Sequence, residues 1–286
     1  MQNRFTPQEF YYRLNWRAHG MNATAHQTNN RGAGVDFCGY APFIDYPNPR
    51  RLDLRASLRS IPRQYVVRTY HERGAVTVYA LADLSSSMRY VGNSSKQALL
   101  ADISASIAWS ASRTGDAFAL IASDDVVLAE LSTPPSRQRN SAQETYNMLR
   151  NASIATMHSA LALPMAAAQV SHHRSLVFLI SDFHLDSALL KRTFQALSMH
   201  DVVPVVLWDS AEHADLPSWG WARIRDMESG RERSLFMRKK ITRNIQEGYL
   251  QRRAELQALC RKFGLRSPFF VGDSFIAEDL TRHLLG

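Results

Sequence analysis

Cysteine is nearly missing from this chain of 286 residues: Cys38 and Cys260 stand alone and far apart. That spacing excludes a disulfide framework or a cysteine-based zinc site and predicts a reduced, cytoplasmic protein. No apolar run approaches the roughly 18–20 residues that span a bilayer. The opening MQNRFTPQEFYYRLNW lacks the basic-then-apolar layout of a secretory signal. Internal repeats and low-complexity tracts are absent too. Acidic residues are outnumbered, 26 Asp and Glu against 34 Lys and Arg, for a net charge of +8. The deficit is local. Residues 1–75 carry 11 basic against 5 acidic side chains, 76–212 carry 9 against 12, and 213–286 carry 14 against 9. Basic flanks around a mildly acidic middle suit acidic protein partners at least as well as phosphates, and no aromatic-basic nucleic-acid motif accompanies them.

What is present is regular strand–helix alternation from Ala75 onward, which predicts a doubly wound, mostly parallel α/β sheet flanked by helices. Residues 75–286 form this domain, and residues 1–74 a basic, partly irregular N-terminal arm. Within the arm, residues 20–34 read as a mobile loop and 40–49 as irregular or extended. Residues 50–59 read as a helix opened by Pro49 and ended by Pro62, with Arg51, Arg55 and Arg59 on one face. Such a row is either a solvated face or a surface that pairs with acid. Tyr65–Tyr70 alternates as a strand. In the larger domain, 76–82, 117–121, 126–128, 176–180, 202–208 and 268–272 read as strands. Helices are expected over 96–113, 142–150, 158–172, 188–199, 239–263 and 275–285. Residues 132–141 read as a Pro-containing loop, and 222–237 as an inserted hairpin turning at Glu228-Ser229-Gly230.

Chemistry gathers at strand ends. Val76–Ala82 is a buried run that stops at Asp83-Leu84-Ser85-Ser86-Ser87. A second loop, Ala155-Thr156-Met157-His158, opens a helix, and a third, Ser181-Asp182, follows the 176–180 strand. Should the sheet reverse order beside its first strand, all three loops meet at the switch point, where open α/β sheets bind ligands. Hydroxyl and carboxylate oxygens suit a hard cation such as Mg²⁺. The candidate metal ligands are therefore Asp83, Ser85, Ser87, Thr156 and Asp182, with Ser153 and Thr145 competing for the second-loop position. Mostly neutral ligands leave the ion short of negative charge, so the site favours a carboxylate from outside. Each piece has a plainer reading: Ser85–Ser87 or Asp182 as helix caps, Asp186 as a further acid, His184 and His172-His173 as structural or surface histidines.

The order D-x-S-x-S-M, then threonine, then strand-Ser-Asp resembles the von Willebrand factor A domain and its metal-ion-dependent adhesion site. Gly32–Phe37, Arg50–Asp53, Glu72 and Ser181-Asp182-Phe183, in place of the usual Ser-Asp-Gly, are similar to the branch catalogued as domain of unknown function fifty-eight. The chain departs from that pattern at Tyr46-Pro47-Asn48-Pro49 and at Leu54. The resemblance implies Mg²⁺ or Mn²⁺ at the five ligands and a MoxR-type AAA+ ATPase as partner. It also implies a non-enzymatic, chaperone-like role in maturing a client, methanol dehydrogenase in one branch. Two rivals remain. A phosphohydrolase would use Asp83 as nucleophile, but it wants a second carboxylate where Ser85 stands. A nucleic-acid-binding protein would use the basic flanks.

Overall fold

The computed structural model describes residues 6–14, 16, 27–32, 36–45, 47–61, 64–73, 76–217, 219–225 and 232–286. Two compact units emerge, one of Arg13–Val76 with Thr114–Asp116, the other of Met1–Tyr12, Thr77–Arg113 and Ala117–Gly286.

The smaller unit is built on a three-stranded antiparallel sheet. Its strands are β1 (Gln27–Gly32) and β2 (Asp36–Pro42), which both pair with β3 (Val66–Arg73). The segment read as a mobile loop therefore contains a strand, while its remaining residues, 20–26 and 33–34, lie outside the described set. Backbone hydrogen bonds to β3 hold β1 there despite its polar composition. The helix expected over 50–59 is interrupted. Pro49–Arg51 is a single 3₁₀ turn, Leu52 bridges to Val67, and Asp53 caps α1 (Leu54–Arg59) through Ala56 N–H. Arg51 is thus off the helix that carries Arg55 and Arg59. Pro62 and the Glu228-Ser229-Gly230 turn lie outside the described residues.

The larger unit carries a six-stranded sheet. Its chain order runs β4 (Thr77–Asp83), α2 (Lys96–Thr114), β5 (Ala117–Ser123), β6 (Thr133–Ser136), α3 (Ser141–Arg150), α4 (Leu163–Ala168) and β7 (Leu176–Ser181). It continues through α5 (Ser187–Ala196), β8 (Asp201–Leu207), α6 (Ser210–His213), β9 (Gly220–Arg225), β10 (Glu232–Met237), α7 (Lys239–Lys262), β11 (Phe269–Val271) and α8 (Ala277–Leu285). Across the sheet the order is β11-β8-β7-β4-β5-β6, parallel except for β6. The expected doubly wound α/β architecture is what forms. β4, β7 and β8 are buried along nearly their whole length because helices cover both faces, which explains their unbroken apolar runs.

Two local expectations are corrected. Val126–Leu128 is no strand; Val127 makes one bridge to Ser123. The neighbour of β5 is β6, inside the stretch read as a loop. Pro134 and Pro135 are tolerated there because β6 is the antiparallel edge. The helix expected over 158–172 is confined to α4, which starts with Pro164 in its first turn. Phe10 belongs to this unit: its N–H donates to Ser110 Oγ at 3.1 Å and its ring meets Phe178 edge-on at 5.7 Å.

Candidate functional site

β4 has β5 on one side and β7 on the other, so the winding reverses at β4. Asp83 and Ser181 are the last residues of β4 and β7, at the carboxyl edge where the crevice opens. They meet directly: Ser181 Oγ donates to Asp83 Oδ2 at 2.6 Å, and Ser85 N–H donates to Asp83 Oδ1 at 2.9 Å. Ser85 Oγ and Ser87 Oγ lie 3.2 Å apart. Asp83, Ser85 and Asp182 are buried and Ser87 is half-buried. The plain capping readings are not realised at these positions. Ser85 precedes a 3₁₀ turn without a side-chain cap bond, and Asp186 is the residue that caps α5.

Ser86 ties the first loop to the second. Its Oγ donates to Ala155 O at 3.1 Å and accepts His158 N–H at 2.8 Å, while its own N–H donates to His158 O. Thr156, between those anchors, is exposed and next to the first loop, without a hydrogen bond to Asp83, Ser85 or Ser87 among the described residues. Its competitors sit elsewhere: Thr145 is buried on α3, and Ser153 is exposed before the loop. His172 and His173 precede β7 and so lie at the opposite, amino edge.

Backbone conformation marks the same loops. Among the described residues, the non-glycine residues with positive φ are Met157 (63°) and Phe183 (54°). Each follows a candidate ligand. Left-handed backbone at a bulky residue costs about 1–3 kcal/mol and persists where surroundings fix it. Phe183 is fully buried, and its N–H donates to Ser181 Oγ at 2.9 Å. A position that suits glycine is therefore held by packing.

Sequence reading missed the charge that dominates this edge. Lys96, the first residue of α2, is almost fully buried and reaches Asp182 Oδ2 at 3.1 Å and Glu212 Oε1 at 2.6 Å. A lysine opening an apolar helix at the carboxyl edge was the available signal; Glu212, on a four-residue helix, offered none. Burial alone would lower the Lys96 pKa, but the charges of Asp182 and Glu212 prevail and raise it. Burial likewise opposes the charged form of Asp182, yet Lys96 and the His184 contacts outweigh it, so its carboxyl stays far below the usual range. His184 donates its N–H to Asp182 Oδ1 at 3.1 Å, and its ring stacks on Trp208. Trp208 Nε1–H in turn donates to Asp182 O at 2.8 Å. Asp83 behaves oppositely. Burial, reinforced by the neighbouring Asp182 charge, pushes its pKa up to about 6 despite the Ser181 and Ser85 hydrogen bonds. Two carboxylates side by side thus differ: Asp182 has its cation in Lys96, and Asp83 has none among the described residues.

That contrast defines what the donor set can hold. No group of three or more His, Cys, Asp or Glu side chains arranged for a metal occurs among the described residues. A cation here would depend on hydroxyl oxygens beside the Asp83 carboxylate. A buried carboxylate next to the Ser85–Ser87 hydroxyl pair fits a hard divalent ion, and Lys96 limits how much of Asp182's charge is left for it.

No match was found among curated proteins. Of solved structures, a conserved hypothetical protein, BatB from Bacteroides thetaiotaomicron, aligns at 13% identity and TM-score 0.45, over 74% of this chain and 100% of that one. An aerotolerance-related membrane protein from Bacteroides fragilis NCTC 9343, carrying multiple mutations to serines, aligns at 12% identity and TM-score 0.44, over 73% and 96%. No helix among the described residues is long and apolar enough to cross a membrane. The family model described as "Protein of unknown function DUF58" matches residues 48–255, and the chain belongs to that family.

Proposed function

We propose that this protein is a docking adaptor whose carboxyl-edge site, charged with Mg²⁺ or Mn²⁺, grips a carboxylate on a MoxR-type AAA+ ATPase or its client. The observation that carries the reading is the contrast at the sheet edge: Asp83 is buried, has no cation paired with it among the described residues and lies beside the paired Ser85 and Ser87 hydroxyls. Asp83, Ser85 and Ser87 would hold the ion, with Thr156 from the second loop and Asp182 through its outer hydrogen bonds. A divalent ion bound there supplies an open coordination position for an incoming carboxylate. Ser86 sets the spacing of the first two loops, and Ser181 holds Asp83 in place. The role is non-catalytic, since the chain places Ser85 where phosphohydrolase chemistry needs a second acid. A cytoplasmic setting suits an ATP-driven partner, and methanol dehydrogenase is the client class to try first.

The test is association of the full chain with a MoxR-type ATPase from the same organism, measured by biolayer interferometry in Mg²⁺ and in chelator. Binding in Mg²⁺ that disappears in chelator and in the Ser85→Ala/Ser87→Ala variant is expected. Equal binding in all three conditions contradicts the proposal.

A further inference from the structure

The arginines of the smaller unit were left unexplained by the metal site. Arg50, Arg51, Arg55 and Arg68 line one concavity of about 430 Å³ together with Leu52, Asp53 and Leu54. Asp53 is the lone acid of that lining, and its oxygens are committed. Oδ1 accepts Ala56 N–H at 3.0 Å; Oδ2 accepts Arg68 Nε–H at 2.8 Å and the Tyr40 hydroxyl at 3.2 Å. Those bonds, the Ala56 N–H foremost, keep its carboxyl below the usual range. Arg50 and Arg55 are exposed, and among the described residues neither side chain has an ion pair. Like-charged guanidiniums gathered around one saturated acid repel each other, and an outside anion relieves that repulsion.

The surroundings indicate which anion. α1 exposes Leu54 and Leu58, one turn apart, beside Arg55 and Arg59, and Ile61 just beyond it is 96% exposed. Arginine interleaved with exposed aliphatic side chains is the composition of a protein interface. Phosphate-backbone contact has no use for the leucines.

We infer that this arginine concavity is a second docking site, separate from the carboxyl-edge metal site, and that it takes an acidic segment of a protein partner whose glutamates or aspartates alternate with aliphatic residues. The carboxylates pair with Arg50 and Arg55, and the aliphatic side chains cover Leu54 and Leu58.

The test uses the full chain in chelator, so that the metal site plays no part. The probe is a fluorescein-labelled peptide of repeating Glu-Glu-Leu, compared with a Glu-Glu-Ser peptide and with a single-stranded oligonucleotide of equal charge, by fluorescence anisotropy. The leucine peptide is expected to bind best, and Arg50→Ala/Arg55→Ala to weaken it roughly tenfold or more. An Arg243→Ala control on α7 should leave it unchanged. Circular dichroism matching the wild type shows that the double variant folds. Absence of peptide binding, binding unaffected by the double variant, or the oligonucleotide binding more tightly would each overturn the inference.

Discussion

Replacing Lys96 with methionine tests the electrostatic core of the sheet edge. Lys96 is 2% exposed and Asp182 1%, and the ammonium bridges Asp182 and Glu212. The substitution keeps the apolar stem but leaves two carboxylates without their cation. Glu212 is already short of partners, because its Oε2 is buried with no hydrogen bond among the described residues. Removing one partner of a buried pair costs about 3–5 kcal/mol, a large share of the about 5–15 kcal/mol by which domains are stable. The loss should depend on pH. Burial already raises the Glu212 pKa, so without Lys96 it takes up a proton on mild acidification and relieves part of the cost. In the wild type, the raised Lys96 pKa means its contribution fades only above the ordinary lysine range. The lowered Asp182 pKa means its contribution fades only below the ordinary aspartate range. Guanidinium unfolding followed by circular dichroism should therefore show the variant losing most at pH 8 and less at pH 5. It should also bind Mg²⁺ more tightly, since a competing positive charge is gone. A loss under about 1 kcal/mol at pH 8, or one independent of pH, would refute this reasoning.

Asp83→Asn should stabilise the metal-free protein above pH 6. The folded-state pKa of Asp83 is raised to about 6, so the folded state holds its proton more tightly than the unfolded chain. Stability then falls as pH rises from the ordinary aspartate value through 6, by up to about 3 kcal/mol. The variant, compared with wild type in chelator by denaturant midpoint, should gain that difference at pH 8 and none at pH 4. Phe183→Gly trades relief of a positive φ, about 1–3 kcal/mol, against a buried ring worth about 3–5 kcal/mol. A net fall of up to about 4 kcal/mol is expected in chemical denaturation, and a net gain would show that packing does not hold that backbone.

The strands that build the site were legible because they are buried on both faces. Runs such as Val78–Ala82 and Leu176–Ile180 are continuous and apolar, and the strand ends, Asp83 and Ser181, follow from where the runs stop. The convergence of those ends followed from topology alone. What escaped was decided by pairing rather than pattern. β6 carries two prolines and β1 is polar, yet both are strands because a neighbour supplies the hydrogen bonds. The helix over 50–59 broke at Asp53, whose carboxylate caps the following turn and pairs with Arg68, a contact made across 15 residues. Lys96 and Glu212 escaped for a similar reason: their meaning lies in Asp182, distant in sequence from both, and a charged residue in the first turn of a helix looks like a solvated end.

The central claim is that Asp83, Ser85 and Ser87 hold a divalent cation, and calorimetric titration of Mn²⁺ or Mg²⁺ into the metal-free full chain at pH 7.5 tests it most directly. The account predicts one site per chain, lost in Ser85→Ala/Ser87→Ala and in Asp83→Asn. No saturable binding, or identical binding in the variants, would contradict it.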